Sequence, residues 1–338
     1  MKRKSVLTVL LLGTMLLLTL LFGCTACDDN KNNKNVIRLS EVTHSIFYAP
    51  QYLAMSLGLF EEAGIELELS NGGGADKCMT ALLTNEADVA LMGPEAVIYV
   101  YLEGKKDYPQ VFGQLTKRDG SFLVGRYDDP DFDYSDLTGK HILMGRKGGV
   151  PAMTLQYILN GYGYYDGVNI TMDYSVQFDL LGPAFIEGTG DFVPLFEPTA
   201  TLLCNEGHGF IVNSIGKESG EVPYTCYAAS QSYIKENPEL LEKFLRCIYE
   251  ATQYLLTHSA EEVAPVIMEH FDGVPESDIV LALKAYAAND TWVTSPVMKQ
   301  SSFERLQDIM ENAGELSSRT PFTEIVYNVI ASKVAPIL

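Results

Sequence analysis

From Val36 to Phe196 the chain alternates short β-branched or apolar runs with amphipathic stretches, and this alternation is the signature of parallel α/β units. Val36 to Glu41 reads as the first strand, and the loop Val42 to Tyr48 leads into a helix with Pro50 near its start and Gly58 near its end. Proline is tolerated at a helix start because the first N–H groups have no intrahelical partner. Ile65 to Leu69 and Ala87 to Met92 read as the next two strands. Between them Asn71-Gly72-Gly73-Gly74 is a permissive loop, and Asp76 to Asn85 sets Cys78, Met79, Leu82 and Leu83 on one helical face. Gly93-Pro94 opens another helix, and Val111 to Leu115 gives way to the polar, turn-rich segment Thr116 to Ser121. A second α/β series follows. Its strands are expected at Phe122 to Gly125, Lys140 to Met144, Ile170 to Tyr174 and Phe192 to Phe196, with helices at Pro151 to Asn160 and roughly Glu197 to Asn205. From Pro238 the reading is wholly helical. Leu240, Leu241, Phe244, Leu245, Ile248, Ala251, Leu255 and Leu256 recur at three- and four-residue intervals, an apolar stripe that must dock on existing structure.

Ahead of this body, Lys2, Arg3 and Lys4 precede the apolar run Val6 to Phe22, and Gly23 stands before Cys24, the pattern of a secretory signal. The segment resembles a bacterial lipoprotein start, in which the cut falls before a cysteine that carries diacylglycerol; the bulky Phe22 is a departure. Residues 1–23 are thus expected to be an export signal, Cys24 the lipidation site and residues 24–35 a polar tether, with the body held at the outer face of the cytoplasmic membrane by lipid alone. The chain carries 44 Asp and Glu against 24 Lys and Arg, a net charge of −20, and such a surface repels nucleic acid and anionic headgroups. Past Cys24 and Cys27, Cys78, Cys204, Cys226 and Cys247 are scattered without paired spacing and read as buried free thiols. The histidines His44, His141, His208, His258 and His270 lack metal-ligand spacing, and no Gly-x-Ser-x-Gly elbow, His-Glu-x-x-His or phosphate-binding loop occurs. Binding without catalysis, cofactor or metal is the expectation.

Several segments occur together in an order seen in one family: Tyr48-Ala49-Pro50, Gly58 to Ile65, Asn71 to Gly74, Glu86-Ala87-Asp88-Val89-Ala90, Asp136-Leu137-Thr138-Gly139-Lys140 and Glu197-Pro198. The set resembles the extracytoplasmic solute-binding proteins of ABC importers for sulfonates, nitrate, taurine and thiamine precursors. That resemblance implies an α/β, two-lobed type II periplasmic-binding-protein fold with two crossover strands and a helical C-terminal segment. Lobe one would comprise residues 36–117 and, on return, 228–338, with lobe two at 118–227. The implied partners are a small-molecule ligand, a permease and its ATPase. A ligand sensor would carry the same signature. A related branch of the fold makes the thiamine pyrimidine enzymatically, consuming its own histidine with iron, but its cluster of closely spaced cysteines has no counterpart here.

In open α/β sheets ligands collect at the carboxyl ends of strands, where loop amides and helix starts point outward. Applied here, that rule selects His44, Phe47 and Tyr48 after the first strand, Asn71, Gly72 and Gly73 after the second, and Gly93 and Glu95 after the third. In lobe two it selects Arg146, Lys147 and Gly149, two cations and flexible amides before a helix, a combination that suits an anion. In the resembled family a hydroxyl residue often precedes that helix, and Gly149 stands in roughly its place. Glu197 resembles the family's acidic residue at the return from lobe two; Tyr227 and Trp292 are further aromatic candidates. An aromatic or amide-bearing heterocycle of thiamine-precursor type would use Phe47, Tyr48, Tyr227 and Glu197, whereas a sulfonate or nitrate would use Arg146 and Lys147. The heterocycle is the expected ligand.

Overall fold

A computed structural model describes residues 35–335; the expected signal, Cys24 and nearly all of the tether lie outside them. Among the described residues no helix is long and apolar enough to cross a membrane. Ten strands form two sheets. β1 (Asn35–Glu41), β2 (Ile65–Asn71), β3 (Val89–Met92) and β4 (Pro109–Thr116) precede β5 (Ser121–Gly125), β6 (His141–Leu143), β7 (Thr171–Asp173), β8 (Phe192–Phe196) and β9 (Phe210–Ser214), and β10 (Thr225–Ser230) follows. The first sheet has the order β2-β1-β3-β10-β4 and the second β7-β6-β8-β5-β9.

Both sheets follow one rule. β1 runs parallel to β2 and β3, and β6 parallel to β7 and β8, while β10 and β5 run antiparallel to their neighbours. β5 and β10 are the strands that follow the two crossovers. A chain arriving from the other lobe enters at the cleft end of the sheet, so its first strand must run against those that end there. β10 lies wholly in the first sheet, paired with β3 and β4.

The two crossovers lie side by side. Thr116 Oγ1 is 2.5 Å from Thr225 Oγ1 and accepts the Thr225 N–H at 3.1 Å. Asp119, fully buried in the first crossover, accepts the Ser121 N–H at 2.7 Å and the Ser121 hydroxyl, and its burial pushes the carboxyl up to about 6.

The helix Pro238–Thr257 docks on lobe one as its stripe requires, burying Leu241, Phe244, Leu245, Ile248, Ala251 and Leu255; Leu256 stays exposed. Phe244 stacks on Phe60 with ring centroids 5.5 Å apart and meets Tyr227 edge-on at 5.1 Å. The four described cysteines, Cys78, Cys204, Cys226 and Cys247, are free.

Candidate ligand cleft

Loops at the carboxyl ends of the parallel strands of both lobes meet around one cavity of about 40 Å³. Lobe one contributes Val42, Thr43 and Tyr48 after β1, Gly73, Gly74 and Asp76 after β2, and Gly93 and Glu95 after β3. Lobe two contributes Met144, Arg146, Gly149 and Val150 after β6, Gln177 and Phe178 after β7, and Phe196 at the end of β8; Tyr224 comes from the second crossover and Thr225 from the start of β10. No histidine or cysteine lines it.

Local chemistry explains how these side chains are held. Ser45 caps the short 3-10 helix Ile46–Tyr48, its Oγ accepting the Phe47 N–H at 3.2 Å, and this turn brings Tyr48 back over the cleft. Gly73 adopts a φ of +69°, a left-handed conformation that glycine takes without penalty, and so turns the chain from β2 into the helix Ala75–Leu83. At Gly93 a Cβ would collide with Glu95 Oε2, so a glycine is what lets that carboxylate fold over the strand end.

The lobes are drawn together by bonds across the cleft. Ser45 Oγ donates to the Glu197 carbonyl at 2.5 Å, Tyr286 Oη accepts the Glu197 N–H at 2.9 Å, and Tyr99 Oη donates to the Gly148 carbonyl at 2.9 Å. At the mouth Arg146 Nε lies 3.3 Å from Asp76 Oδ1, and Lys77 lies 3.7 Å from Asp179. Arg146 is the only cation among the lining residues, and it is already faced by Asp76. Glu95 is 1% exposed; burial dominates and pushes its carboxyl up to about 7, against the opposing pull of Arg146 and of the amides of Glu95, Val150 and Ala96.

Of the residues selected from sequence, Tyr48, Gly73, Gly93, Glu95, Arg146 and Gly149 line this cavity. The others lie elsewhere, each for a definite reason. His44 points to the C-terminal helices, with Nδ1 3.0 Å from Glu41 Oε1 and Nε2 2.5 Å from the His270 carbonyl. Phe47 is fully buried behind the wall, its ring 5.2 Å from Phe196 and 5.8 Å from Tyr224, so it supports two lining rings without reaching the cavity. Asn71 accepts the Gly73 N–H at 2.9 Å and serves the turn; a Cβ at Gly72 would stand 2.7 Å from Cys78 Sγ, so that glycine serves packing. Lys147 is exposed and 3.6 Å from Glu315. Both Glu197 oxygens are committed to Thr201 in the first turn of the helix Thr199–Asn205, accepting its N–H at 3.0 Å and its hydroxyl at 2.8 Å. Tyr227 is fully buried in the lobe-one core, donating to Gln51 at 3.2 Å, and Trp292 is a core residue whose indole donates to the Phe47 carbonyl at 3.0 Å. Asp76, Gln177, Phe178, Phe196 and Tyr224 also line it and were not selected from sequence. Phe196 and Tyr224 carry the one usable signal, an aromatic immediately at a strand end or crossover.

A family model described as NMT1/THI5 like matches residues 46–262. The chain is 41% identical to YtlA, a candidate binding protein of Bacillus subtilis (strain 168), over 93% of this chain and 94% of that one. It is 25% identical to the 4-amino-5-hydroxymethyl-2-methylpyrimidine phosphate synthase of Aspergillus parasiticus over 63% of this chain and 64% of that one. Its fold is similar to that of the alkanesulfonate-binding protein SsuA from Xanthomonas axonopodis pv. citri bound to MOPS, with a TM-score of 0.69 and 17% identity over 86% of this chain and 98% of that one.

Proposed function

Since the chain belongs to the NMT1/THI5-like family, we propose that it is the extracytoplasmic solute-binding component of an ABC importer and that it captures a small nitrogen heterocycle between its lobes. The leader and Cys24 pattern support export and a lipid anchor, and the binding designation of YtlA supports capture. One observation carries the ligand class. Tyr48, Phe178, Phe196 and Tyr224 present aromatic rings to the cavity, while its single cation is faced by Asp76 and stands opposite a second acid, Glu95. An anion entering this space would meet carboxylates on one side and obtain little from a cation already shared. A flat ring meets stacking surfaces instead, each pair worth about 0.5–1.5 kcal/mol beyond the buried area.

Calorimetry with a pyrimidine panel and a sulfonate panel tests this reading. Heterocycles should bind, and Tyr48→Ala should weaken them by about tenfold while Arg146→Ala matters less. Heat with sulfonates alone, abolished by Arg146→Ala, would overturn it. The similarity to the Aspergillus synthase makes a second measurement useful: incubation with ligand should return it chemically unchanged, and a new product by mass spectrometry would point to an enzyme.

A further inference from the structure

The cavity holds one acid whose bonding is incomplete. Glu95 starts the helix Glu95–Leu102 and is buried on every side, yet its Oε2 has no hydrogen-bond partner among the described residues. Its Oε1 has only a long contact, 3.4 Å from the Val150 N–H of the opposite lobe. The groups that face it are the amides of Glu95 and Ala96 at its own helix start, Arg146 and Val150 from lobe two, Tyr99 one turn along its own helix, and Tyr224 and Cys226 from the second crossover and β10. None completes the carboxylate: Arg146 Nε lies beside Asp76, Tyr99 donates to Gly148, and Cys226 is a buried thiol. A buried carboxylate with an open acceptor is costly unless a donor reaches it. The second acid does not share this position, because Asp76 sits at the mouth, exposed and opposite Arg146. Glu95 lines the cavity, and its Oε2 occupies the space that glycine at position 93 leaves clear.

Resting on the binding reading above, we propose that Glu95 is the specificity-determining residue of this cleft and selects a ligand edge that carries N–H donors or positive charge, an amine or an amidine, over an acceptor-only or anionic edge. Such an edge supplies the missing donor at Oε2, and an amidine can place two parallel N–H groups on one carboxylate, the strongest geometry this group accepts. The aromatic walls hold the ring in either case, so the carboxylate discriminates between rings of the same shape. This makes Glu95, and not Glu197, the acid that reads the ligand, since Glu197 is spent on Thr201.

Matched probes separate the two roles. We expect the intact protein to bind 4-aminopyrimidine about tenfold or more tightly than pyrimidine, and benzamidine more tightly than benzamide, since a charge-assisted bond carries this much discrimination. Glu95→Gln, which keeps the shape, should bring both ratios close to unity while leaving the weaker member of each pair within a few-fold of its wild-type affinity. Ratios that survive Glu95→Gln would overturn the assignment and leave the heterocycle reading standing. Failure of every ring compound to bind the wild-type protein would instead remove the reading itself and the assignment with it. A measurement on the wild-type protein covers a poorly folding variant: benzamidine is cationic throughout, so its preference over benzamide should grow severalfold between about pH 5.5 and about pH 8.5 as the carboxylate ionises. A preference that is flat over that span would overturn the proposal.

Discussion

Glu95 and Asp119 are both buried carboxyls whose ionised forms are disfavoured by desolvation, and both act on stability in the same direction. Glu95 is raised to about 7 and Asp119 to about 6 in the folded protein. Between its unfolded value and its folded one, each group keeps its proton when folded and loses it when unfolded, so the folded state binds more protons. Their contribution is fully present below the unfolded values and is lost as pH rises through about 6 and about 7. Glu95→Gln removes one of the two ionisations. Its melting temperature minus that of wild type should therefore rise as pH is raised from 5 to 8, and a difference that falls over this interval would contradict the burial of that carboxylate. A second residue-scale effect concerns Gly120 in the first crossover, where a Cβ would stand 2.5 Å from the rings of Phe47 and Phe196. Gly120→Ala should destabilise by about 1–3 kcal/mol, measured by denaturant melts, because neither ring has room to yield.

At the scale of elements, the helix Pro238–Thr257 shows how a stripe of sequence becomes a contact. Its Leu245 packs over Gly113 of β4, where a Cβ would come 2.5 Å from Leu245 Cδ1, so the helix lies directly on the sheet. Leu245→Ala should cost about 2–5 kcal/mol, whereas Leu256→Ala, at a position 45% exposed, should stay within about 0.5 kcal/mol. Equal losses in a chemical melt would mean the helix is docked on another face. This helix and the strands β1 to β3 and β5 to β8 were legible from their apolar runs and periodicity. β9 was not, because Phe210 and Ile211 are exposed on an edge strand and give no alternation. β10 was not read as a strand: Ala228 and Ala229 are small and not β-branched, and they are small since this strand lies in the interior of the first sheet, between β3 and β4. In the cleft, the loop rule found the residues that sit at strand ends. It missed Asp76, Gln177 and Phe178, whose placement depends on how the two lobes meet, a long-range property that no local pattern encodes.

For the molecule as a whole, bonds from Ser45, Tyr99 and Tyr286 join the two lobes around the cavity in a closed arrangement. On the proposed binding role, ligand should enter as the lobes part about the paired crossovers and be held as they close again. A ligand that binds only the folded protein raises its stability by about 2.7 kcal/mol at one hundred times Kd, so saturation should shift melting by several degrees. X-ray scattering should show a smaller radius of gyration with ligand than without; identical profiles would remove closure while leaving binding intact. The position of β10 has a further consequence for the making of the chain. Domains commonly complete themselves in order of synthesis, the earlier one first. Here the first sheet has a gap between β3 and β4 until residues 225–230 have left the ribosome, whereas all five strands of the second sheet lie within residues 121–214. The lobe that begins first is therefore finished last, and its unfilled sheet must wait, with Leu91 and Val111 on its open edges, while the inserted lobe is translated in full.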